Sequence, residues 1–426
     1  MNQFRLAVVA SHPTQHFAPV FRVLGSVPGL EIRVYYWSNI GVKPSNDVGF
    51  SLTFNWDVDL LNGYRHCFSQ TGMGSTSLGC WKVDDPLLPV LLDEFQPNAI
   101  WIFGYNYRFN WRAIGWARDR CPILHLCDAS SLTVRPALVR IAKKVITSYI
   151  FRRFDIFITV GERNEEYYSR YGVPREKMIR GALPIDVNRF LETLSTTDSF
   201  SKTKISQEYG LNETDFVVLS VGKLISRKRV KDLVAAIALL RKKGVLVSAL
   251  LIGEGELRSD LERQIAALAL GDQVKLVGFI NQKEMPALLA CGDALAMTSD
   301  VEQFGMAVTE AMVCGNVIIA SDQIGCVGKS DPARPGVNAL IYPYGNVQAL
   351  ANQIEKLYSD PMMRMEMSAM SRKLAFTQDI SVAANAVLKS LIALRPKFKR
   401  QWSAVDDESF DKMLGYLSEV TLVRNY

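Results

Sequence analysis

Short apolar, β-branched runs alternate with longer helix-patterned stretches along this chain, and the series runs twice with a polar break between. In the first series residues 6–10, 32–37, 99–103, 123–127 and 156–160 read as strands. A helix is expected from about Pro13, carrying Phe17, Val20, Phe21 and Leu24, and another over 109–120. Residues 191–206 then shift to Ser, Thr, Asp and Lys, a linker signature. The second series predicts strands at 216–221, 246–252, 274–277, 294–297 and 317–320, with helices over 230–242, 256–268, 284–291 and 306–313. Strands alternating with helices imply βαβ units, parallel sheets and binding sites at the strands' carboxyl ends. The fold class expected is therefore α/β, with two doubly wound Rossmann-like domains facing across a cleft. Their expected spans are 1–195 and 205–376, with a tail of about 377–426 packing back on the first.

Composition narrows the function classes. A chain of 426 residues suits two or three domains at roughly 150 residues each. With 48% hydrophobic and 22% charged residues, wholesale disorder and a fibrous repeat are excluded. The net charge of +6 is a mild excess, compatible with an anionic ligand or membrane surface and too small for a dedicated nucleic-acid binder. No apolar run reaches the roughly 18 residues that span a bilayer, and the N-terminal residues read as a first strand instead of a signal peptide. The seven cysteines form no Cys-x-x-Cys pair, and His12, His16, His66 and His125 fit no zinc spacing. Reduced thiols in a cytosolic protein are expected.

Three turns carry chemistry. Ser299-Asp300-Val301-Glu302-Gln303-Phe304-Gly305 runs from a predicted strand into a predicted helix that holds Glu310 and stops at Gly315. That places Glu302 at the strand's carboxyl end and Glu310 about one turn inside the helix. The amides around Phe304, Gly305 and Met306 then sit at a helix N-terminus, which favours negative charge and polar oxygens. The arrangement suits a sugar nucleotide; otherwise Glu302 is a solvated loop acid and Glu310 an exposed helix residue. At the second turn, Gly222 lets the chain bend sharply, so Lys223 and Lys228 can stabilise charge on a departing diphosphate, or else form a solvated basic turn. The third, Gly253-Glu254-Gly255, has Arg258 where a dinucleotide fingerprint needs its last glycine. It reads as a turn that lets a helix pack closely, which disfavours a Rossmann dehydrogenase.

These stretches resemble the retaining glycosyltransferases of family 4, with the two-domain GT-B architecture. The matches are Gly222-Lys223-Leu224 with Lys228, Gly253-Glu254-Gly255-Glu256, and Glu302 leading to Glu310-Ala311-Met312-Val313-Cys314-Gly315. Gly336-Val337-Asn338-Ala339-Leu340, Tyr171-Gly172-Val173-Pro174 and residues 184–190 add to the likeness. The resemblance implies that Lys223 and Lys228 hold a donor diphosphate and that Glu310 accepts from ribose hydroxyls. It puts Glu302 with the Phe304 and Gly305 amides on the donor sugar, and the base near Gly278, Phe279 and Ile280. It also implies transfer with retention and without a metal, the leaving phosphate helping to deprotonate the acceptor on the same face.

The departures from the pattern bear on the first half and on Lys223. Lys223 stands where the family usually has Arg, Arg229 where it has Gly, and Val317 where Pro is common. The first strand-to-helix turn lacks paired glycines and reads Ser11-His12-Pro13-Thr14-Gln15-His16. A helix N-terminus there would offer amides to the diphosphate; His12 and His16 are candidates for phosphate or acceptor contact, or are cap and packing residues. Asp128 occupies a place where many relatives have His, and either orients acceptor or donor sugar or caps a helix.

Residues 135–153 hold Arg135, Arg140, Lys143, Lys144, Arg152 and Arg153, no acid, and many apolar residues. This is either a helix that lies on an anionic membrane or one that packs its apolar face on the sheet with its cations wet. The function expected is cytosolic transfer of a sugar from a UDP- or GDP-sugar to a hydroxyl acceptor, with peripheral contact at the inner membrane face left open and no nucleic-acid partner. Polysaccharide, glycolipid and small-molecule acceptors remain open, and loops 41–53 and 70–81 are expected to read them. The rivals are a nucleotide-sugar epimerase of the same architecture and a non-catalytic sugar-nucleotide-binding protein.

Overall fold

The computed structural model describes residues 3–47, 52–75, 78–79, 81–132, 136–196, 207–210, 215–398, 402 and 407–422. Of the polar break expected at 191–206, residues 191–196 belong to a helix and 197–206 lie outside the described residues, as do Arg135 and parts of loops 41–53 and 70–81.

Nine strands precede the break. They are β1 (Phe4–Ala10), β2 (Leu30–Tyr36), β3 (Ser45–Asp47), β4 (Leu52–Phe54), β5 (Arg65–Phe68), β6 (Ala99–Phe103), β7 (Ile123–Leu126), β8 (Ile156–Thr159) and β9 (Met178–Arg180). Seven make a parallel sheet in the order β5-β2-β1-β6-β7-β8-β9, and β3 pairs with β4 as a separate antiparallel hairpin. The helices are α1 (Ala18–Gly25), α2 (Leu88–Phe95), α3 (Arg108–Ala117), α4 (Ala137–Phe151), α5 (Glu162–Arg170) and α6 (Val187–Thr196). The edge strands β5 and β9 were not expected, because Arg-His-Cys-Phe and a three-residue run carry too little apolar alternation to signal a strand.

Beyond the break, β10 (Val217–Val221), β11 (Ser248–Ile252), β12 (Val274–Gly278), β13 (Ala294–Met297), β14 (Val317–Ser321) and β15 (Ala339–Tyr342) form a second parallel sheet ordered β12-β11-β10-β13-β14-β15. Its helices are α7 (Val230–Lys242), α8 (Arg258–Ala267), α9 (Met285–Leu289), α10 (Met306–Cys314), α11 (Val347–Ser359) and α12 (Pro361–Ala375). β11 and β14 are buried at every position, as parallel strands covered by helices on both faces must be. In each sheet the strand order reverses beside the first strand, at β1/β6 and at β10/β13. Open α/β sheets bind ligands at such reversals.

The chain recrosses to the first sheet at Gln378–Ile380, where Ile185 N donates to Gln378 O (2.8 Å) and Ile380 N to Ile185 O (3.1 Å). Helix α13 (Ile380–Phe398) then packs on α1, β8 and β9. Trp402 sets its ring 4.9 Å from Phe4 and donates to Asn98 O at 2.9 Å, and α14 (Asp407–Leu422) brings Phe410 to 5.4 Å from Phe4. Among the described residues no helix is long and apolar enough to cross a membrane.

A second seam joins the halves. Asp331, buried in the loop between β14 and β15, accepts from Arg180 Nη1 of β9 (2.9 Å) and from the Glu162 amide that opens α5 (2.9 Å). Glu162 in return accepts from Ser330 N and Oγ at 2.6 and 2.7 Å.

Candidate functional site

At the carboxyl end of β10 the chain turns at Gly222 (φ +142°), runs through a single 3-10 turn over Ser226–Lys228 and enters α7 from Arg229 (φ +50°). At the end of the neighbouring β13 the loop 298–305 descends into α10. The two turns are laced together: Thr298 Oγ1 donates to Lys228 O (2.7 Å), Asp300 N to Arg227 O (3.0 Å) and Arg227 Nη1 to Val301 O. Across this lacing the Lys228 ammonium donates to the Glu302 carboxylate, with Ser299 Oγ at 3.5 Å and Arg227 at 3.7 Å from the same oxygen. Both partners of the pair are only about one-sixth exposed (17% and 15%), so solvent screens their attraction little. Lys223 and Lys228 line one small hollow with Gly222 and Ser299.

Gly222 and Val221 also line the adjoining cavity of about 150 Å³, whose far wall is Glu310 and whose side is Phe279, Ile280 and Gln282. Phe279 leans on Phe54 with ring centroids 4.7 Å apart. Glu310 is not an exposed helix residue. It is buried on α10, accepts from Gln282 Nε2 at 3.2 Å, and burial pushes its pKa up to about 6 against the holding effect of Gln282 and of Arg189. Arg189, on α6 in the first half of the chain, clamps Gln282 with Nη1 on its carbonyl and Nη2 on its side-chain oxygen, both at 2.8 Å.

The opposite wall comes from the loop after β1. Gln15, His16 and Trp56 complete the Glu310 cavity. Burial, reinforced by Arg189, lowers the His16 pKa to about 4, and burial alone lowers His12 to about 4. Both are neutral at physiological pH, so they can meet a phosphate as hydrogen-bonding groups but not as cations. His12 bonds Ser11 Oγ at 2.9 Å. The helix expected near Pro13 begins at Ala18 instead, because Pro19 suits a first turn and Thr14 to Phe17 make a separate turn closed by Ala18 N to Thr14 O (3.0 Å). The amides of residues 13–16 are therefore not a helix N-terminus.

After β7, Asp128 is exposed on the cleft side of the loop 127–132, and desolvation by the surrounding protein together with the nearby Glu302 raises its carboxyl pKa. It caps no helix, since α4 starts nine residues later with Pro136 at its N-cap. The loop is braced by Asn164 Nδ2, which donates to Cys127 O and Ala129 O (3.0 and 2.7 Å), and by Ser130 N, which donates to Gln303 Oε1 of the other half at 2.8 Å. Asp128 and Gln303 share a cavity of about 1270 Å³ that extends beneath α4.

Other expectations need correction. The Gly253-Glu254-Gly255 turn admits no helix. A Cβ on Gly253 would lie 1.9 Å from Gly222 O, and one on Gly255 2.6 Å from Leu224 O, so what packs closely is the turn after β10. The Phe304 side chain is buried in the core, which leaves only backbone there for a ligand, and Gly305 (φ +103°) supplies the left-handed residue before α10. The triplet Asp57-Val58-Asp59 has the Asp-x-Asp form but divides its carboxylates. Asp59 accepts from Arg22 and from the Leu61 and Asn62 amides, while Asp57 accepts from Lys283 N at 3.2 Å across the cleft. No role is expected from the sequence for Gln282, Arg189 or Gln303, although Arg189 lies in 184–190 and Gln303 in the turn before α10, because the partners that give them one are distant in the chain.

Residues 201–374 match the sequence model of the family described as Glycosyl transferases group 1. The chain is similar to an alpha-D-kanosaminyltransferase of Streptomyces kanamyceticus, 28% identical over 39% of this chain and 42% of that protein; the chain thus spans less than half the length of this curated relative. Its fold is that of Anabaena HepE solved in complex with UDP (TM-score 0.69, 18% identity, 92% of this chain and 100% of that one). Sucrose-phosphate synthase from Thermosynechococcus elongatus is equally similar (TM-score 0.68, 18% identity, 93% and 100%). The two facing Rossmann-like sheets are of the GT-B type.

Proposed function

We propose that this protein is a retaining, metal-independent glycosyltransferase of family 4 type, acting in the cytoplasm, that moves a sugar from a nucleoside-diphosphate donor to a hydroxyl acceptor. The observation that carries the reading is the Lys228–Glu302 pair at the β10/β13 reversal, with Lys228 lining a hollow that adjoins, through Val221 and Gly222, the cavity walled by the buried Glu310, His16 and Trp56. The UDP complex of the structurally similar HepE supports a nucleotide donor. On this reading Lys228 and Lys223 meet the diphosphate and stabilise the charge that grows as the glycosidic bond breaks. Glu310, ionised above pH about 6, accepts from the ribose hydroxyls, and Arg189 acts through Gln282 to fix its rotamer. Phe279 and Ile280 flank the base. Glu302 holds the Lys228 ammonium in register and meets the sugar hydroxyls, with Asp128 facing it from the acceptor side.

Retention then follows from same-face attack. The acceptor oxygen bonds to the anomeric carbon as the diphosphate leaves from that face, and the departing phosphate takes the acceptor proton. The test is a melting-temperature screen with UDP, GDP and their sugar conjugates, since ligands of the folded state raise it with occupancy. No response to any of them would refute the reading. Incubating the responding donor alone separates an epimerase, which alters the sugar without an acceptor. The anomeric configuration of the product, and activity that survives EDTA, test retention and metal independence.

A further inference from the structure

Helix α4 is amphipathic the wrong way round. Arg140, Lys143, Lys144, Thr147 and Phe151 fall at i, i+3, i+4, i+7 and i+11 and so share one face. Thr147 and Phe151 bury that face at its C-terminal end, Phe151 against Phe157 with ring centroids 5.2 Å apart. Toward the N-terminus the same face carries the three cations over the 1270 Å³ cavity, where Arg170 joins them. Lys143 lies 5.3 Å from the Tyr167 ring and 5.7 Å from the Tyr171 ring. The opposite row, Leu138, Ile141, Val145 and Tyr149, points to solvent with exposures of 82, 60, 67 and 59%. The helix therefore does not pack this apolar row on the sheet, while Arg140 and Lys144 also remain exposed to solvent.

An exposed apolar stripe, with accessible cations rimming an open cavity on the other side of the helix, demands an environment that satisfies both. Contiguous exposed apolar surface marks a protein or membrane contact. A second copy of this chain would bring its own cations to the rim, on a protein already at +6. A membrane interface suits both rows: the aliphatic stripe enters the acyl boundary, and the basic face meets anionic headgroups. The cavity enclosed by the basic face ends on Asp128 and Gln303, and Gln303 adjoins Glu302 of the donor corner.

We propose that α4 docks on a membrane and that the cavity behind it seats the phosphate of a lipid-borne acceptor, presenting that acceptor's hydroxyl toward Asp128. The membrane contact stands on α4 alone; the acceptor role rests on the transferase reading. The test uses phosphatidylcholine vesicles with and without hexadecyl phosphate. The protein is expected to sediment with the phosphate-bearing vesicles, not with phosphatidylcholine alone, and inorganic phosphate should not release it. Ile141→Asp with Val145→Asp, and separately Arg140→Glu with Lys144→Glu, should each weaken binding at least about tenfold. The melting temperature and its rise with nucleotide donor should stay as in the parent. Equal binding to neutral vesicles, release by inorganic phosphate, or indifference to both double variants would overturn the proposal. So would a dimer in solution that Ile141→Asp with Val145→Asp dissolves, because a second copy would then cover the stripe. A parent protein that binds vesicles but no nucleotide refutes the transferase reading and with it the acceptor role, while the docking of α4 stands.

Discussion

The wall after β10 and β13 and the wall after β7 face the same cleft but are built differently. On the first, the site's side chains are tied in pairs: Lys228 to Glu302, Glu310 to Gln282, and Gln282 in turn to Arg189. On the second, one exposed carboxyl, Asp128, overlooks a wide cavity roofed by a helix whose first turns barely touch the sheet. A group that must stabilise a charge appearing at one atom works best when held in place beforehand. A wall that must admit a large second substrate needs room. On the proposed transferase reading, the contrast suits the tied wall to donor chemistry and the open one to acceptor choice.

The largest effect expected is on the seam that keeps the walls opposed. Arg180→Met leaves Asp331 buried without its cation, which should cost about 3–5 kcal/mol of stability in a denaturant titration. A loss below ~1 kcal/mol would mean that the halves do not rely on this pair. Next, Lys228→Ala should lower turnover by about 100-fold or more and weaken donor binding; unchanged donor affinity would break the assignment of the tied wall. Asp128→Asn should cost about tenfold in turnover while the donor-induced melting shift stays intact, and a lost shift would place Asp128 with the donor. The smallest effect belongs to Glu310. Its pKa is raised, so its protonated form is the one the fold favours; that stabilisation is full below the ordinary value of 4.5 and is lost as pH rises through about 6. Glu310→Gln should therefore raise the melting temperature slightly at pH 8 and not at pH 4. In the parent, donor affinity should fall a few-fold as pH drops through 6, and the variant should lose that dependence.

The tied wall was also the legible one. Gly222, Lys228 and Glu302 lie in the turns that follow strand ends at Val221 and Met297, where a glycine or a charge after an apolar run already signals a turn at the sheet's carboxyl edge, and Glu310 lies on the helix that the second turn enters. The Arg189–Gln282 clamp joins residues 93 apart and the Ser130–Gln303 contact residues 173 apart, so only the folded chain brings them together. The start of α1 was misplaced by trusting Pro13 over Pro19, since either proline can open a helix and the choice rests on the Thr14 turn. The orientation of α4 was undecidable from its sequence, because the same periodicity fits either face inward.

Gly253 fits against Gly222 so closely that no side chain can stand between them. The turns after β10 and β11 thus behave as one machined part. On the proposed transferase reading, a change of donor preference cannot be reached by substituting Gly253 or Gly255, since an added carbon at either displaces the turn after β10 and the Lys228 anchor with it. Variation in what this site accepts has to enter from the Phe279 side or from across the cleft.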